Sequence, residues 1–280
     1  MKVEKILVPT DFSKYANYAS RIALQIAKET NARVEFFHQT HILGEWSTLN
    51  KEARAYYEKN FVKKEEAIEK LETLTKNKAL EDVEIITNYG HGNLFVQIMD
   101  KVEDGEVDLI VMGTQGRSGQ EIMLGSNTLK VLRLVQCPVI TAKKPPKDFK
   151  MEKILFLSNF KKEGRAVLKK LLDFTEMWNS TIHLVNIDVN HRFKKSPKLF
   201  KKSIAKYVDL CGDRLGEIRS IDEKNIEKGL GLILKEMEVD LVAMGTHLRE
   251  YQDYMYSSFI TETIVQKAEV PVLTIPILDD

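Results

Sequence analysis

VEKILVPTDF at Val3–Phe12 and MEKILFLSNF at Met151–Phe160 are two versions of one stretch, set at the start of each half of a 280-residue chain. Two more pairs follow in the same order. DLIVMGTQ (Asp108–Gln115) is matched by DLVAMGTH (Asp240–His247), and CPVITA (Cys137–Ala142) by VPVLTI (Val270–Ile275). Three matched landmarks in one order read as a tandem repeat of a single fold. The boundary falls at Lys143–Lys150, KKPPKDFK, where two prolines and four lysines suit neither strand nor helix. The expected domains are residues 1–143 and 151–280, with residues 144–150 as the linker.

Each half alternates strand and helix. In the first, short apolar runs predict strands at Lys5–Val8, Arg33–His38, Val83–Thr87, Leu109–Met112 and Val139–Ala142. Apolar residues at helical spacing predict a helix over Ser13–Thr30 (Ala16, Ala19, Ile22, Ala23, Ile26, Ala27), opened by an Asp11/Ser13 capping signal. Further helices are expected at Leu49–Lys76, Leu94–Val102 and Thr128–Val135. The second half should place strands near Lys153–Leu157, Thr181–Asn186, Gly216–Ser220, Leu241–Met244 and Val272–Ile275. Strands that are apolar throughout and alternate with helices imply a parallel sheet covered on both faces. Right-handed crossovers make it doubly wound, so ligands bind beyond the carboxyl ends of the strands.

Composition narrows the function. Lys+Arg 42 against Asp+Glu 41 leaves a net charge of +1, which gives no support for a basic nucleic-acid binder. No stretch approaches the ~20 apolar residues of a membrane span, and MKVEKILV is too short an apolar run for a secretory signal. Two cysteines, Cys137 and Cys211, make no disulfide framework and fit a reducing compartment. The expectation is a cytoplasmic protein with neither nucleic acid nor membrane as partner.

The residues after the strands carry the chemistry. Pro9-Thr10-Asp11 follows the first strand and His38-Gln39 the second. The fourth leads into Gly113-Thr-Gln-Gly116-Arg117-Ser-Gly119 and on to Gly125-Ser126-Asn127, with a helix directly after. Glycines let backbone approach a phosphate, and backbone amides with a helix amino end attract negative charge. Asp11 is suited to ribose hydroxyls. This is neither a Walker A loop nor a dinucleotide fingerprint, since no Gly-Lys-Ser/Thr follows and the first strand does not lead into Gly-x-Gly.

Together, VPTDFS at Val8–Ser13, the strand Val34–His38 and VMGTQG…LGSNT at Val111–Thr128 resemble the universal stress protein family, in its tandem two-domain form. The resemblance covers nearly the whole chain. It implies two tandem five-stranded parallel sheets of order 3-2-1-4-5, an adenine nucleotide alpha hydrolase-like architecture. Nucleotide-binding members hold ATP with a Gly-x2-Gly-x9-Gly-Ser/Thr loop. Carried onto this chain, Pro9, Thr10 and Asp11 flank the adenosine, with Asp11 on the ribose. The Gln39 backbone faces adenine, and Met112 and Gly113 line the nucleoside. Gly116, Arg117, Gly125, Ser126 and Asn127 surround the phosphates, with Mg²⁺ accompanying ATP. The resemblance further implies that Val139–Ala142 pairs antiparallel with Val272–Ile275 in an internal pseudo-dimer, open to homodimerisation, in a protein of the stress response.

Two departures stand out. Eight residues (117–124) separate Gly116 from Gly125, one fewer than the family's nine. In the second half Gly245-Thr-His-Leu248 keeps the nine-residue spacing, but Leu248 and Ser258 replace glycines and Phe259 replaces the hydroxyl donor. Pro-Thr-Asp has become Leu157-Ser158-Asn159, without the carboxylate. The second half is therefore expected to keep the fold without holding ATP in the family manner, and to support assembly or signalling.

No nucleophile or positioned general base stands near the loop, so any hydrolysis is slow and incidental, and no catalytic or metal residue is assigned. The histidines show no metal-ligand spacing. His38 and His183 read as comparable strand-two packing residues, and His91 as the one nearest the site mouth. Lys194, Lys195, Lys198, Lys201 and Lys202 read as a solvent-facing helix start, without the aromatic interleaving of a nucleic-acid site. The contrasting functional readings are a nucleotide-independent interaction scaffold and, more remotely, an adenylate transferase, which would need Lys or His at the loop where only Arg117 stands.

Overall fold

The computed structural model describes residues 1–40, 46–60, 64–75, 82–115, 124–144, 149–189, 191–247 and 257–277. The first half contributes β1 (Lys5–Pro9), α1 (Lys14–Thr30), β2 (Arg33–Thr40), α2 (Lys51–Asn60), α3 (Lys64–Thr75), β3 (Ile85–His91), α4 (Leu94–Glu103), β4 (Leu109–Gly113), α5 (Ser126–Leu134) and β5 (Val139–Ala142). The second contributes β6 (Lys153–Leu157), α6 (Gly164–Phe174), β7 (Thr181–Ile187), α7 (Arg192–Lys195), α8 (Pro197–Cys211), β8 (Leu215–Ile221), α9 (Ile226–Glu236), β9 (Leu241–His247), α10 (Ser257–Lys267) and β10 (Val272–Ile277). The strands within each half pair parallel in the order 3-2-1-4-5.

The two five-stranded sheets are continuous. β5 and β10 lie side by side and antiparallel, Val272 against Thr141, Leu273 against Ile140 and Thr274 against Val139, so ten strands form one sheet. Strand side chains alternate between its faces. Ile6, Val8, Val34, Phe36, Ile154 and Phe156 pack under α1, α3, α6 and α8. Leu7, Phe37, Ile110, Leu155, Val185 and Val242 pack under α4, α5, α9 and α10. Each apolar layer runs through both halves. The Arg133 guanidinium of α5 reaches Glu262 of α10 at 2.7 Å, and Phe149, buried at the end of the expected linker, donates its N–H to Gln25 Oε1 at 3.2 Å.

Some local expectations change. The helix expected over Leu49–Lys76 is described as α2 and α3, on either side of residues 61–63, which lie outside the described residues. The third strand lies further along than Val83–Thr87. Its ladder with β2 continues through His38↔Tyr89 to Thr40↔His91, and Asn88 Nδ2 donates to Glu35 Oε1 at 2.8 Å across it. Those cross-strand bonds outweigh the turn-like composition of Asn88-Tyr-Gly-His91. His38 and His183 are not equivalents: Pro9 stands opposite Phe37 and Leu157 opposite Val185. The next residues, His38 and Asn186, therefore correspond, and His183 corresponds to Glu35.

The five lysines near Pro197 are exposed around the start of α8, where proline fits the first turn. Among the described residues no helix is long and apolar enough to cross a membrane.

Both cysteines are free and buried. Burial pushes the Cys137 thiol up to about 12 and the Cys211 thiol up to about 11. Only the thiolate is a nucleophile. Neither cysteine should therefore react with Ellman's reagent in the folded protein at mildly alkaline pH, and both should react in denaturant. Fast reaction of either in the native state would contradict this packing.

The continuous sheet makes a second prediction. Leu273 is fully buried at the join, and Leu273→Ala should cost about 2–5 kcal/mol. Each half carries one tryptophan, Trp46 and Trp178. In urea, single-tryptophan variants should report the same shifted midpoint from both halves. A shift seen only by Trp178 would mean that the halves unfold separately.

Candidate functional site

In the first half β1, β2 and β4 end on the side where open α/β sheets bind ligands, and the turn after β1 is fixed by its own polar side chains. Thr10 N–H prolongs the ladder to Phe37 O at 2.9 Å. Thr10 Oγ1 then accepts from Phe12 N–H at 3.1 Å, and Asp11 Oδ1 from Ser13 N–H at 3.0 Å. Ser13 caps α1 by accepting from Ala16 N–H at 3.2 Å. Phe12 sits in the left-handed region at φ 62° to make the bend. His38 Nδ1 lies 2.7 Å from Thr10 O. A carbonyl only accepts, so this nitrogen carries the proton.

The second half builds the same turn with different residues. Ser158 Oγ accepts from Phe160 N–H at 3.0 Å, Asn159 Oδ1 accepts from Lys161 N–H at 3.1 Å, and Phe160 has φ 53°. Asn186 Nδ2 donates to Ser158 O at 2.8 Å, in the place of His38. An amide at 159 thus serves the turn as well as the carboxylate at 11. The turn needs an acceptor at this position; it does not need the negative charge of Asp11.

At the end of β4, Gly113 has a packing reason of its own. A Cβ there would lie 2.7 Å from the backbone carbonyl carbon of Tyr15, so the missing side chain lets α1 cross β4 closely. Met112 is buried in the layer shared with α4 and α5. Past the strand, Thr114 N–H donates to Ala142 O at 3.1 Å, and Gly125 N–H returns to Thr114 O at 2.9 Å. The base of the loop is therefore closed. Gly116 and Arg117 lie outside the described residues.

The helix after the loop begins without a side-chain cap. Gly125 occupies the N-cap in extended conformation and supplies no side-chain cap. The first intrahelical bond is Leu129 N–H to Gly125 O at 3.0 Å. The amides of Ser126, Asn127 and Thr128 have no acceptor within the helix. The Ser126 and Asn127 side chains are exposed, whereas Thr128 turns back to Gly113 O at 3.0 Å.

Two side chains add information that the sequence did not carry. Both polar atoms of the Gln39 amide, and Thr114 Oγ1, are buried with no hydrogen-bond partner among the described residues. Buried polar groups left this way cost about 1–3 kcal/mol each and point to something that completes them. An aromatic run flanks Gln39: Phe12 to His38 at 4.6 Å, His38 to Tyr89 at 6.0 Å, and Tyr89 edge-on to His91 at 5.0 Å. His91 is thus an exposed aromatic neighbour of the site. Among the described residues no group of three or more His, Cys, Asp or Glu stands together to hold a metal ion.

The architecture defines a tandem doubly wound α/β protein, with polar residues gathered beyond the carboxyl ends of β1, β2 and β4. The universal stress protein family model matches residues 2–143 and again residues 150–276, and the chain belongs to that family. A universal stress protein of Methanocaldococcus jannaschii is 32% identical over 154 residues, covering 52% of this chain and 85% of its own length. The universal stress protein YxiE of Bacillus subtilis is 30% identical over 146 residues, covering 49% of this chain and 96% of its own. The solved structure of a universal stress protein from Archaeoglobus fulgidus shares the fold along the whole chain. Its TM-score is 0.70 at 17% identity, with 99% of this chain and 97% of that one covered.

The two turns provide their own experiment. His38→Asn, which copies the second half, should leave stability nearly unchanged. His38→Leu leaves the buried Thr10 carbonyl without its donor and should cost about 1–3 kcal/mol. Chemical denaturation of both variants checks this. Equal losses would mean that the ring's packing, and not its hydrogen bond, matters here.

Proposed function

We propose that the first half binds an adenine nucleotide, ATP, and that the protein works as a nucleotide-responsive stress protein with slow, incidental hydrolysis at most. The amino end of α5 carries this reading. Its first-turn amides have no intrahelical acceptor, and Gly125 at the N-cap supplies no side chain to them, which is the usual setting for a phosphate. The Gln39 amide, buried with both ends unpartnered among the described residues, supports a polar heterocycle nearby. The charge of Asp11, which the turn does not require, supports acceptance of ribose hydroxyls.

In this reading Pro9, Thr10 and Asp11 border the nucleoside, together with the Gln39 backbone, Met112 and Gly113. Gly116, Arg117, Gly125, Ser126 and Asn127 border the phosphates. Mg²⁺ comes with the nucleotide, since no ligand cluster among the described residues would hold it separately. The second half holds no ATP and serves assembly. The β5–β10 ladder supports an internal pseudo-dimer, and a second copy could join it as a homodimer. Two free buried cysteines fit a reducing cytoplasm.

The one-residue-shorter loop favours the competing reading, a scaffold that needs no nucleotide. Calorimetric titration of ATP with Mg²⁺ into the full chain separates the two. The parent should bind one ATP. Gly116→Asp and Gly125→Asp, which bring a carboxylate toward the phosphates, should each weaken binding by about tenfold or more. The ATP should be recovered intact. No heat in the parent, or undiminished binding in both variants, would favour the scaffold.

A further inference from the structure

The carboxyl ends of the second half's strands enclose a cleft of 380 Å³. That lies within the roughly 300–1,000 Å³ usual for small-molecule sites, and it occupies the switch point expected of an open α/β sheet. Its chemistry is not that of the first half. Matching the ladders Pro9↔Phe37 and Leu157↔Val185 places Leu157 where the first half has Pro9, Ile187 where it has Gln39 and Asp188 where it has Thr40. Val189, Ile226 and Ile277 extend the aliphatic wall.

Four polar side chains lining the cleft, Ser158, Asn159, Asn186 and Asp188, are engaged with the protein. Ser158 Oγ and Asn159 Oδ1 hold the turn after β6, and Asn186 Nδ2 is spent on Ser158 O. Asp188 Oδ2 accepts the N–H groups of Phe193 at 2.7 Å and Lys194 at 3.1 Å, at the start of α7. Two carboxylates, Asp188 and Glu163, line the cleft against Lys161 and His247, so no excess of positive charge invites an anion. Aliphatic walls around satisfied polar groups gain most by exchanging water for apolar surface.

We propose that this second cleft binds an uncharged, largely apolar small molecule, recognised by shape and burial rather than by phosphate contacts. The proposal concerns a different site from the nucleotide reading and stands independently of it.

Nile red, a neutral fluorophore, titrated into the full-length protein tests it. Val189→Trp and Ile277→Trp fill the cleft from two different walls, and circular dichroism identifies which of them folds as the parent does. The parent should show one saturable site whose fluorescence is unchanged by excess ATP. Either folded variant should weaken that site about tenfold or more, while its ATP titration stays as in the parent. Absence of saturable dye binding, equal binding in a folded variant, or displacement of the dye by ATP would each overturn the assignment.

Discussion

Three residue pairs, Val272 with Thr141, Leu273 with Ile140 and Thr274 with Val139, hold the architecture together. A five-stranded parallel sheet covered by helices still has two open edges, and an edge is a template for further pairing. Here the fifth strand of each half closes the other's edge. Among the described residues β3 and β8 lie at the ends of the sheet, and β8 carries the charged Glu217 and Arg219, with Arg219 paired to Glu217 and to Glu236. Because the join is antiparallel while each half is parallel, the strands of the two halves point in opposite directions. Their carboxyl ends lie on opposite sides of the molecule.

The turn after the first strand of each half separates structure from function. Thr10-Asp11-Phe12 and Ser158-Asn159-Phe160 make the same pair of side-chain-to-backbone bonds around a phenylalanine at positive φ. A hydroxyl and an oxygen acceptor are what the bend requires, and both versions supply them. What differs is surplus to the bend: a charge on Asp11, an amide at Gln39 with no partner among the described residues, and an aliphatic side chain at the matching Ile187. The frame is held constant while the residues beyond the strand ends change.

The fold was legible in the sequence because it rests on patterns that burial imposes. A short apolar run such as Leu109–Met112, alternating with helical patterns, reads as a strand covered on both faces, and the matched landmarks fixed the repeat. The site was legible only as positions. Gly113 looked like a ligand glycine, but the Tyr15 backbone already demands that it lack a side chain. His38 was paired by residue type with His183, whereas the ladder pairs it with Asn186. A histidine and an asparagine that do one job, donating to a strand-end carbonyl, cannot be matched by identity. The extension of β3 through Asn88-Tyr-Gly-His91 was hidden for a similar reason: a bond from Asn88 to Glu35 and the register with Thr40 are long-range facts. The second cleft was invisible because aliphatic residues in a sequence read equally as wall and as core.

The same join explains why a half that has lost the phosphate signature persists in the chain. Remove it and β5 becomes a four-residue open edge whose side chains, Val139 to Ala142, are all buried in the intact protein. Arg133 would lose Glu262, Lys143 would lose Glu269, and the apolar layers that pass beneath both halves would end in exposed surface. The first half thus depends on the second for its edge, whatever either one binds. A repeat under that constraint must preserve its strands and helix faces but is free to change the residues beyond the strand ends. Asp11 against Asn159 and Gln39 against Ile187 are differences of that kind.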